Sequence, residues 1–310
     1  MKVSVIGSGN VGATVALCIA QKNIVNEVVL LDIKDGISEG KALDMWESAP
    51  ITGFNTKIKG VTNDYTATKK SDVVVITSGL PRKPGMSRDD LIGINAGIVK
   101  SVTENIIEFS PKAKIIVVSN PVDVMTYCTY LTSRLDSRSV IGMAGVLDVA
   151  RYKAFLAEEL NVSPLDIQAL LLGGHGDSMV PLPRYTSVAG IPVTELISAK
   201  RLDEIVKRTK VGGGEIVKLE GTSAWYAPGA AVAEMVEAII ADSKRIMPVC
   251  ALVKGEYGLK GMYLGVPAVL GKRGIEKIIQ IKLNENEQKM LQASADAVKS
   301  VMNILDKIMA

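Results

Sequence analysis

Val3-Ser4-Val5-Ile6-Gly7-Ser8-Gly9-Asn10-Val11-Gly12 sets a short apolar run in front of a G-x-G-x-x-G turn. An apolar-patterned helix is predicted from about Val11 to Lys22. Val28-Val29-Leu30-Leu31 reads as the next strand, ending at Asp32. Each glycine answers a separate demand. Gly7 permits the tight turn, Gly9 lets a pyrophosphate approach the backbone, and Gly12 lets helix and strand pack closely. The helix N-terminus offers free N–H groups and partial positive charge, so Asn10 and Val11 join the glycines as candidate phosphate-facing positions. Asp32 follows Gly12 by 20 residues. Its carboxylate can accept from the adenine ribose hydroxyls and would repel a 2′-phosphate, which favours NAD over NADP. The hexamer alone is a weak signal, because glycine turns are common. Strand, helix and acid at the expected places turn it into a dinucleotide fingerprint.

The pattern then repeats. Val73–Ile76 reads as a third strand, followed by a loop rich in Gly, Pro and Arg, and a helix is predicted from about Asp89 to Phe109. Ile115–Val118 is a fourth strand, ending at Ser119-Asn120-Pro121 before another helix, and Val140–Met143 is a fifth. Continuous apolar runs mark strands covered on both faces, as in a parallel sheet. Strands alternating with helices predict an α/β chain whose N-terminal part is a Rossmann doubly wound parallel sheet.

After about Gly145 the texture changes to helices mixed with shorter strands. The expected pieces are a helix over Asp148–Leu160 and strands over Ile167–Leu172, Tyr185–Val188, Val249–Val253, Tyr263–Val266 and Lys277–Ile281. Helices are expected over 199–218, 228–244 and Asn284–Ile308, with Asn284 as the last one's cap. The division expected is an NAD-binding Rossmann domain over 1–145 and an α+β catalytic domain over 146–310.

Composition excludes several classes. The chain has 310 residues, 47% hydrophobic and 22% charged, which suits a folded globular protein. A net charge of +3 without a long basic block argues against nucleic-acid binding. No apolar run reaches the ~18 residues of a membrane span. The fingerprint starts at Gly7, leaving no room for a signal peptide, and Asn161-Val162-Ser163 is taken as a chance glycosylation triplet. Cys18, Cys128 and Cys250 are scattered, so neither a disulfide framework nor a cysteine zinc site is expected, and a reducing, cytoplasmic setting fits. Gly265 to Lys272 has the wrong spacing for a P-loop. The one histidine, His175, rules out a multi-histidine metal site and makes this residue the sole imidazole for acid–base work.

His175 lies in Leu172-Gly173-Gly174-His175-Gly176-Asp177, directly after a predicted strand. A lone histidine is more often a core or surface residue than a catalyst. The strand end and flanking glycines, which allow a ligand close to the ring, shift the balance toward function. Asp148 and Arg151 share a face at i and i+3 of a helix start; in isolation they read as a surface ion pair. The segment Gly79 to Asp89 carries Arg82 and Arg88 after the third predicted strand, where ligands meet a doubly wound sheet. Read alone it is equally a solvated basic loop.

The ordered set GSGNVG, Asp32, GLPRKPGMSRDDL, VSNPVDV, GMAGVLDVAR and GGHGDSMVP resembles the lactate/malate dehydrogenase family over nearly the whole chain. The resemblance implies reversible hydride transfer between (S)-malate and NAD+, a step of the tricarboxylic acid cycle. It implies roles as well. His175 would be the general base in oxidation and the acid in reduction. Asp148 would orient the ring, and Arg151 would clamp the substrate's C1 carboxylate. Arg88 would polarise the reacting carbonyl, Asn120 would position nicotinamide and substrate, and Asn95 would contact the cofactor. A cis peptide at Asn120-Pro121 is implied too. Arg82 sits at the position that is cationic in the family's malate enzymes and typically Gln in lactate enzymes, and its loop would close over the substrate between Gly79 and Gly85. A Thr near substrate in lactate enzymes falls here at Ala224, on a late helix, with Ser223 beside it. The alternatives are a lactate or broad 2-hydroxyacid dehydrogenase and, from another class, a non-catalytic NAD-binding module. The partners expected are a small-molecule substrate and further copies of the chain, a homotetramer ahead of a dimer. Trp46 and the helix around Ala230–Ile240 could serve such interfaces, but core positions are the expectation for both.

Overall fold

The computed structural model describes residues 1–80 and 88–309; Arg82 and Gly85 lie outside them, and of Arg88 only the backbone is described. The N-terminal half alternates strand and helix. It runs β1 (Lys2–Ile6), α1 (Asn10–Gln21), β2 (Glu27–Asp32), α2 (Ile37–Thr52), β3 (Lys57–Thr62), β4 (Val73–Ile76), α3 (Arg88–Phe109), β5 (Lys114–Val117), α4 (Val122–Ser133) and β6 (Val140–Gly142). After α5 (Gly145–Leu160) come the short strands β7 (Ile167–Gln168), β8 (Leu171–Leu172), β9 (Val180–Pro181), β10 (Ser187–Val188) and β11 (Ile191–Pro192). Helices α6 (Val193–Leu196), α7 (Ala199–Glu220) and α8 (Tyr226–Ile240) follow. The chain ends with β12 (Arg245–Lys254), β13 (Lys260–Gly271), β14 (Gly274–Ile278) and α9 (Glu285–Met309).

One nine-stranded sheet, ordered β14-β13-β12-β6-β5-β4-β1-β2-β3, crosses both halves. The neighbours from β3 to β6 pair in parallel, and β12–β14 are added antiparallel. A Rossmann sheet thus continues into strands of the C-terminal half, and the two parts meet through one registered pair, Cys250 with Gly142. The central strands are covered on both faces: Val73, Val74, Val75 and Ile76 are all 0% exposed. At about 1.5–3 kcal/mol for each such side chain, this burial outweighs any local turn preference and fixes β4 at the sheet centre.

Two strand expectations change. Val73–Ile76 is the fourth strand, because Lys57–Thr62 forms the third; at the sheet edge only its Val61 is buried, so no apolar run marked it. Ile167–Leu172 divides into β7 and β8, which belong to different small sheets. Trp46, expected in the core, is 41% exposed on α2. The helix around Ala230–Ile240 is core, with Val232, Met235 and Val236 each fully covered. The last helix begins as expected: Asn284 Oδ1 accepts from the Glu287 N–H at 2.9 Å, and Glu287 Oε2 accepts from the Asn284 N–H at 2.8 Å. This reciprocal cap satisfies donors that the helix itself cannot.

Candidate active site

The site lies where the parallel strands end. At the tip of β1, Gly7 takes φ +108°, a conformation that suits glycine. A Cβ on Gly12 would fall 1.8 Å from the Gly7 carbonyl oxygen, so this close approach of α1 to the turn tolerates no side chain. A Cβ on Gly9 would meet nothing within 4 Å; its missing side chain faces open space. Helix α1 starts at Asn10 with no side-chain cap, so the N–H groups of its first turn are not taken by one. Asp32 ends β2, where its Oδ2 accepts the Ser8 N–H at 2.6 Å and its Oδ1 the Lys34 N–H at 3.2 Å. The open cradle, the uncapped helix and a carboxylate with remaining lone pairs fit a dinucleotide: pyrophosphate over Gly9–Gly12, adenine ribose at Asp32.

The second part centres on Asp148, in the first turn of α5, where the helix dipole favours negative charge. Its side chain is 1% exposed and touches an imidazole and a guanidinium. Oδ2 lies 2.9 Å from His175 Nδ1, and Oδ1 lies 3.4 Å from an Arg151 guanidinium nitrogen. The contact at Nδ1 leaves Nε2 as the nitrogen available to a substrate. Burial pulls the His175 pKa down. The charge and hydrogen bond of Asp148, joined by the charge of Asp123, outweigh that pull, and Arg151 opposes them weakly, so the net shift is upward.

His175 is held by its backbone as well as its ring. Gly173 pairs with Gly265 of β13, Ser294 Oγ of α9 accepts the Gly174 N–H at 2.8 Å, and Asp123 Oδ2 of α4 accepts the His175 N–H at 3.1 Å. Asp123 Oδ1 accepts the Cys250 thiol proton at 3.2 Å. Burial raises both the Asp123 and the Cys250 pKa. Asp123, Cys250 and Ser294 were not singled out in the sequence. They act on a loop 52 or more residues away along the chain, and only the Asp in VSNPVDV lay inside a motif.

The remaining expected residues are placed as follows. Asn120 is exposed at the end of the loop after β5, next to a cis peptide with Pro121. A cavity of about 100 Å³ joins it to His175, and Val122, Ser178 and Val298 also line that space. Asn95 is 1% exposed, and its amide is engaged by backbone: Oδ1 accepts the Leu80 N–H at 2.8 Å, and Nδ2 donates to the Asn120 carbonyl at 2.8 Å. It therefore ties the start of the arginine-bearing segment to Asn120. Ser223 and Ala224 stand in the connection between α7 and α8, not on a helix as expected. Among the described residues no cluster of metal-ligand type is present, and no helix is long and apolar enough to cross a membrane.

The arrangement can move a proton at His175, hold a carboxylate at Arg151 and receive a dinucleotide at the tip of β1, with Asn120 sharing a cavity with His175. Comparison with known proteins follows the same line. The model described as lactate/malate dehydrogenase, NAD binding domain, matches residues 1–142, and that of the lactate/malate dehydrogenase alpha/beta C-terminal domain matches 145–308. A malate dehydrogenase of Cytophaga hutchinsonii is 66% identical over 306 residues, covering 99% of this chain and 98% of the relative. The solved malate dehydrogenase of Salinibacter ruber superposes with a TM-score of 0.96 at 56% identity, covering 100% of this chain and 99% of that one. A Cryptosporidium parvum lactate dehydrogenase, solved with lactic acid and nicotinamide adenine dinucleotide, gives 0.94 at 39% identity, with 98% of each chain covered.

Proposed function

The chain belongs to the lactate/malate dehydrogenase family, and we propose that it interconverts (S)-malate and oxaloacetate, with NAD as its cofactor. One observation carries this reading: a single buried carboxylate, Asp148, contacts both the sole imidazole and a guanidinium. That geometry fixes a proton acceptor at a set distance from a carboxylate-binding cation. The relatives at 66% and 56% identity are malate dehydrogenases, against 39% for the lactate enzyme named above, which supports malate over lactate.

Bound NAD+ supplies the hydride acceptor. Gly7, Gly9, Asn10, Val11 and Gly12 hold its phosphates and Asp32 its ribose, with Asn120 at the nicotinamide end. Arg151 binds the C1 carboxylate through paired hydrogen bonds. This binding sets the C2 hydroxyl against His175 Nε2, which takes the hydroxyl proton during oxidation and returns it during reduction. Asp148 stabilises the imidazolium that forms. Arg88 stabilises charge on the C2 oxygen, and Arg82 pairs with the distal carboxylate. Asn95 acts on the site through the backbone of Leu80 and Asn120.

The cofactor part is residues 1–145 and the substrate part 146–310, a division supported by the matched spans 1–142 and 145–308. The same reading makes the enzyme cytoplasmic, in keeping with its three free thiols, and a homo-oligomer, tetramer ahead of dimer. Exposed Leu43, Trp46 and Ile51 on α2, at 58%, 41% and 86%, support assembly through that helix, which sedimentation would test. The deciding assay compares NADH oxidation with oxaloacetate and with pyruvate. Oxaloacetate should win by orders of magnitude; comparable rates would sink the malate reading.

A further inference from the structure

We propose that Asp123 is a positioning residue for the catalytic base, holding the backbone of His175 across the seam between the two halves of the enzyme, with Cys250 fixing Asp123 from behind. The inference rests on the reading of His175 as the proton-transfer group and adds a second carboxylate to it.

Asp123 belongs to the first turn of α4, on the cofactor side, next to the Asn120-Pro121 corner. His175 and Cys250 belong to the C-terminal half. Oδ2 accepts the His175 N–H at 3.1 Å, and Oδ1 accepts the Cys250 thiol at 3.2 Å. Asp123 is only 7% exposed, so each of these donors replaces water that the carboxylate has lost. Cys250 is itself the residue of β12 that pairs with Gly142 of β6, where the two parts of the sheet join. A Cβ on Gly142 would fall 2.7 Å from Cys250 Cβ and 2.5 Å from Thr126 Oγ1, so the join is tight at this point. Asp123 thus spans from the rigid seam to the loop that carries the imidazole. Hydride transfer needs the substrate held between cofactor and base at a distance set to well under an ångström. The carboxylate that references one half to the other is therefore positioned to control turnover.

Among the described residues, the charged and titratable groups facing His175 are Asp148 and Arg151 from α5 and Asp123 from α4, with Cys250 behind the last. Asp148 holds the ring; Asp123 holds the main chain. The two roles separate experimentally because the chain has one histidine, so a single imidazole resonance in histidine-labelled protein reads His175 directly.

The test uses the whole enzyme. Asp123→Asn keeps an oxygen for the His175 amide and removes the charge. It should lower the imidazole titration midpoint, because a negative charge beside the ring is lost, and cost less in kcat than loss of the acceptor does. Asp123→Ala removes the acceptor too, and should cost about tenfold or more in kcat with KM for malate changed less than about threefold, because the hydrogen bonds of Asp123 go to His175 and Cys250 and those of Arg151 to Asp148. Should Asp123→Ala not fold, the Cys250 pair decides: Cys250→Ser keeps a donor to Asp123 and should lose less kcat than Cys250→Ala, which leaves Asp123 Oδ1 without one. An unchanged midpoint in Asp123→Asn, parent kcat in a folded Asp123→Ala, or equal kcat in the two Cys250 variants overturns the proposal. Full turnover by His175→Asn would instead overturn the base assignment, a failure the titration does not mimic.

Discussion

Asp148→Asn removes the charge that His175 and Arg151 share while keeping the side chain's shape. The bond lost is a charge-assisted one, 2.9 Å long, between groups that are 1% and 23% exposed. Such bonds contribute about 1.5–3 kcal/mol. With the charge and hydrogen bond of Asp148 gone, less opposes the pull of burial and the imidazole midpoint should fall. The low exposure of both partners means that solvent screening takes little from this effect. The sign follows from which form Asp148 stabilises. Oxaloacetate reduction needs the protonated ring and declines as pH rises through the midpoint; malate oxidation needs the neutral ring and increases through it. The variant should therefore lose reduction at a lower pH than the parent, and reach its oxidation plateau at a lower pH. The plateau itself should drop by about 10²-fold or more, because the imidazolium formed in oxidation has lost its counter-charge. Steady-state pH profiles in both directions, set beside the single imidazole resonance, measure each part. A variant whose profile and resonance titrate with the parent's would refute the assignment of Asp148 as the partner that raises the His175 pKa.

Three further outcomes follow from individual contacts. Gly212→Ala puts a Cβ 2.4 Å from Arg151 Cδ and 2.9 Å from its Nε. Helix propensity alone would stabilise α7 by about 1 kcal/mol, so KM for oxaloacetate raised about tenfold in a protein of equal or higher Tm marks displacement of the guanidinium; unchanged KM would mean that Arg151 shifts at no cost. Asp32→Ser removes the charge set against a 2′-phosphate and should raise the NADPH-to-NADH ratio of kcat/KM by about tenfold or more; a fixed ratio would place the adenine ribose elsewhere. Arg82→Gln should move preference toward pyruvate. An unpaired guanidinium over pyruvate costs about 3–5 kcal/mol, or two to four decades of discrimination, and an unchanged ratio would show that Arg82 does not face substrate.

What could be read from the sequence was local in character. The G-x-G-x-x-G turn, Asp32 at a strand end and the buried run Val73–Ile76 each carry their signal within a few residues, because backbone geometry or two-sided burial acts there directly. Asp148 and Arg151 are close along one helix and were legible as a pair. The edge strand β3 was not legible, since Lys57, Lys59 and Gly60 show neither an apolar run nor a strict alternation. Trp46 read as core because the sequence of a single chain does not distinguish a side chain buried in its own fold from one left exposed on α2.

The support around His175 lies at the far end of this scale. Its loop is pinned by Asp123 from 52 residues earlier, by Gly265 of β13 and by Ser294 from α9. Asp123 alone lies inside a motif, VSNPVDV, and no motif records how far any of the three stands from the loop, because the packing of separate strands and helices brings them together. Glycines before and after His175 make the loop easy to bend, so its local sequence specifies little about where the ring points. Direction is supplied instead by acceptors on separate elements: Asp148 for the ring, Asp123 and Ser294 for the main chain. A glycine-flanked base of this kind is precise only through its surroundings. The cost of disturbing it should therefore be spread over residues that never touch substrate, and a side chain on the preceding glycines would press on the same acceptors, since a Cβ on Gly173 would fall 2.6 Å from Ser294 Oγ and one on Gly174 3.4 Å from Asp123 Oδ2.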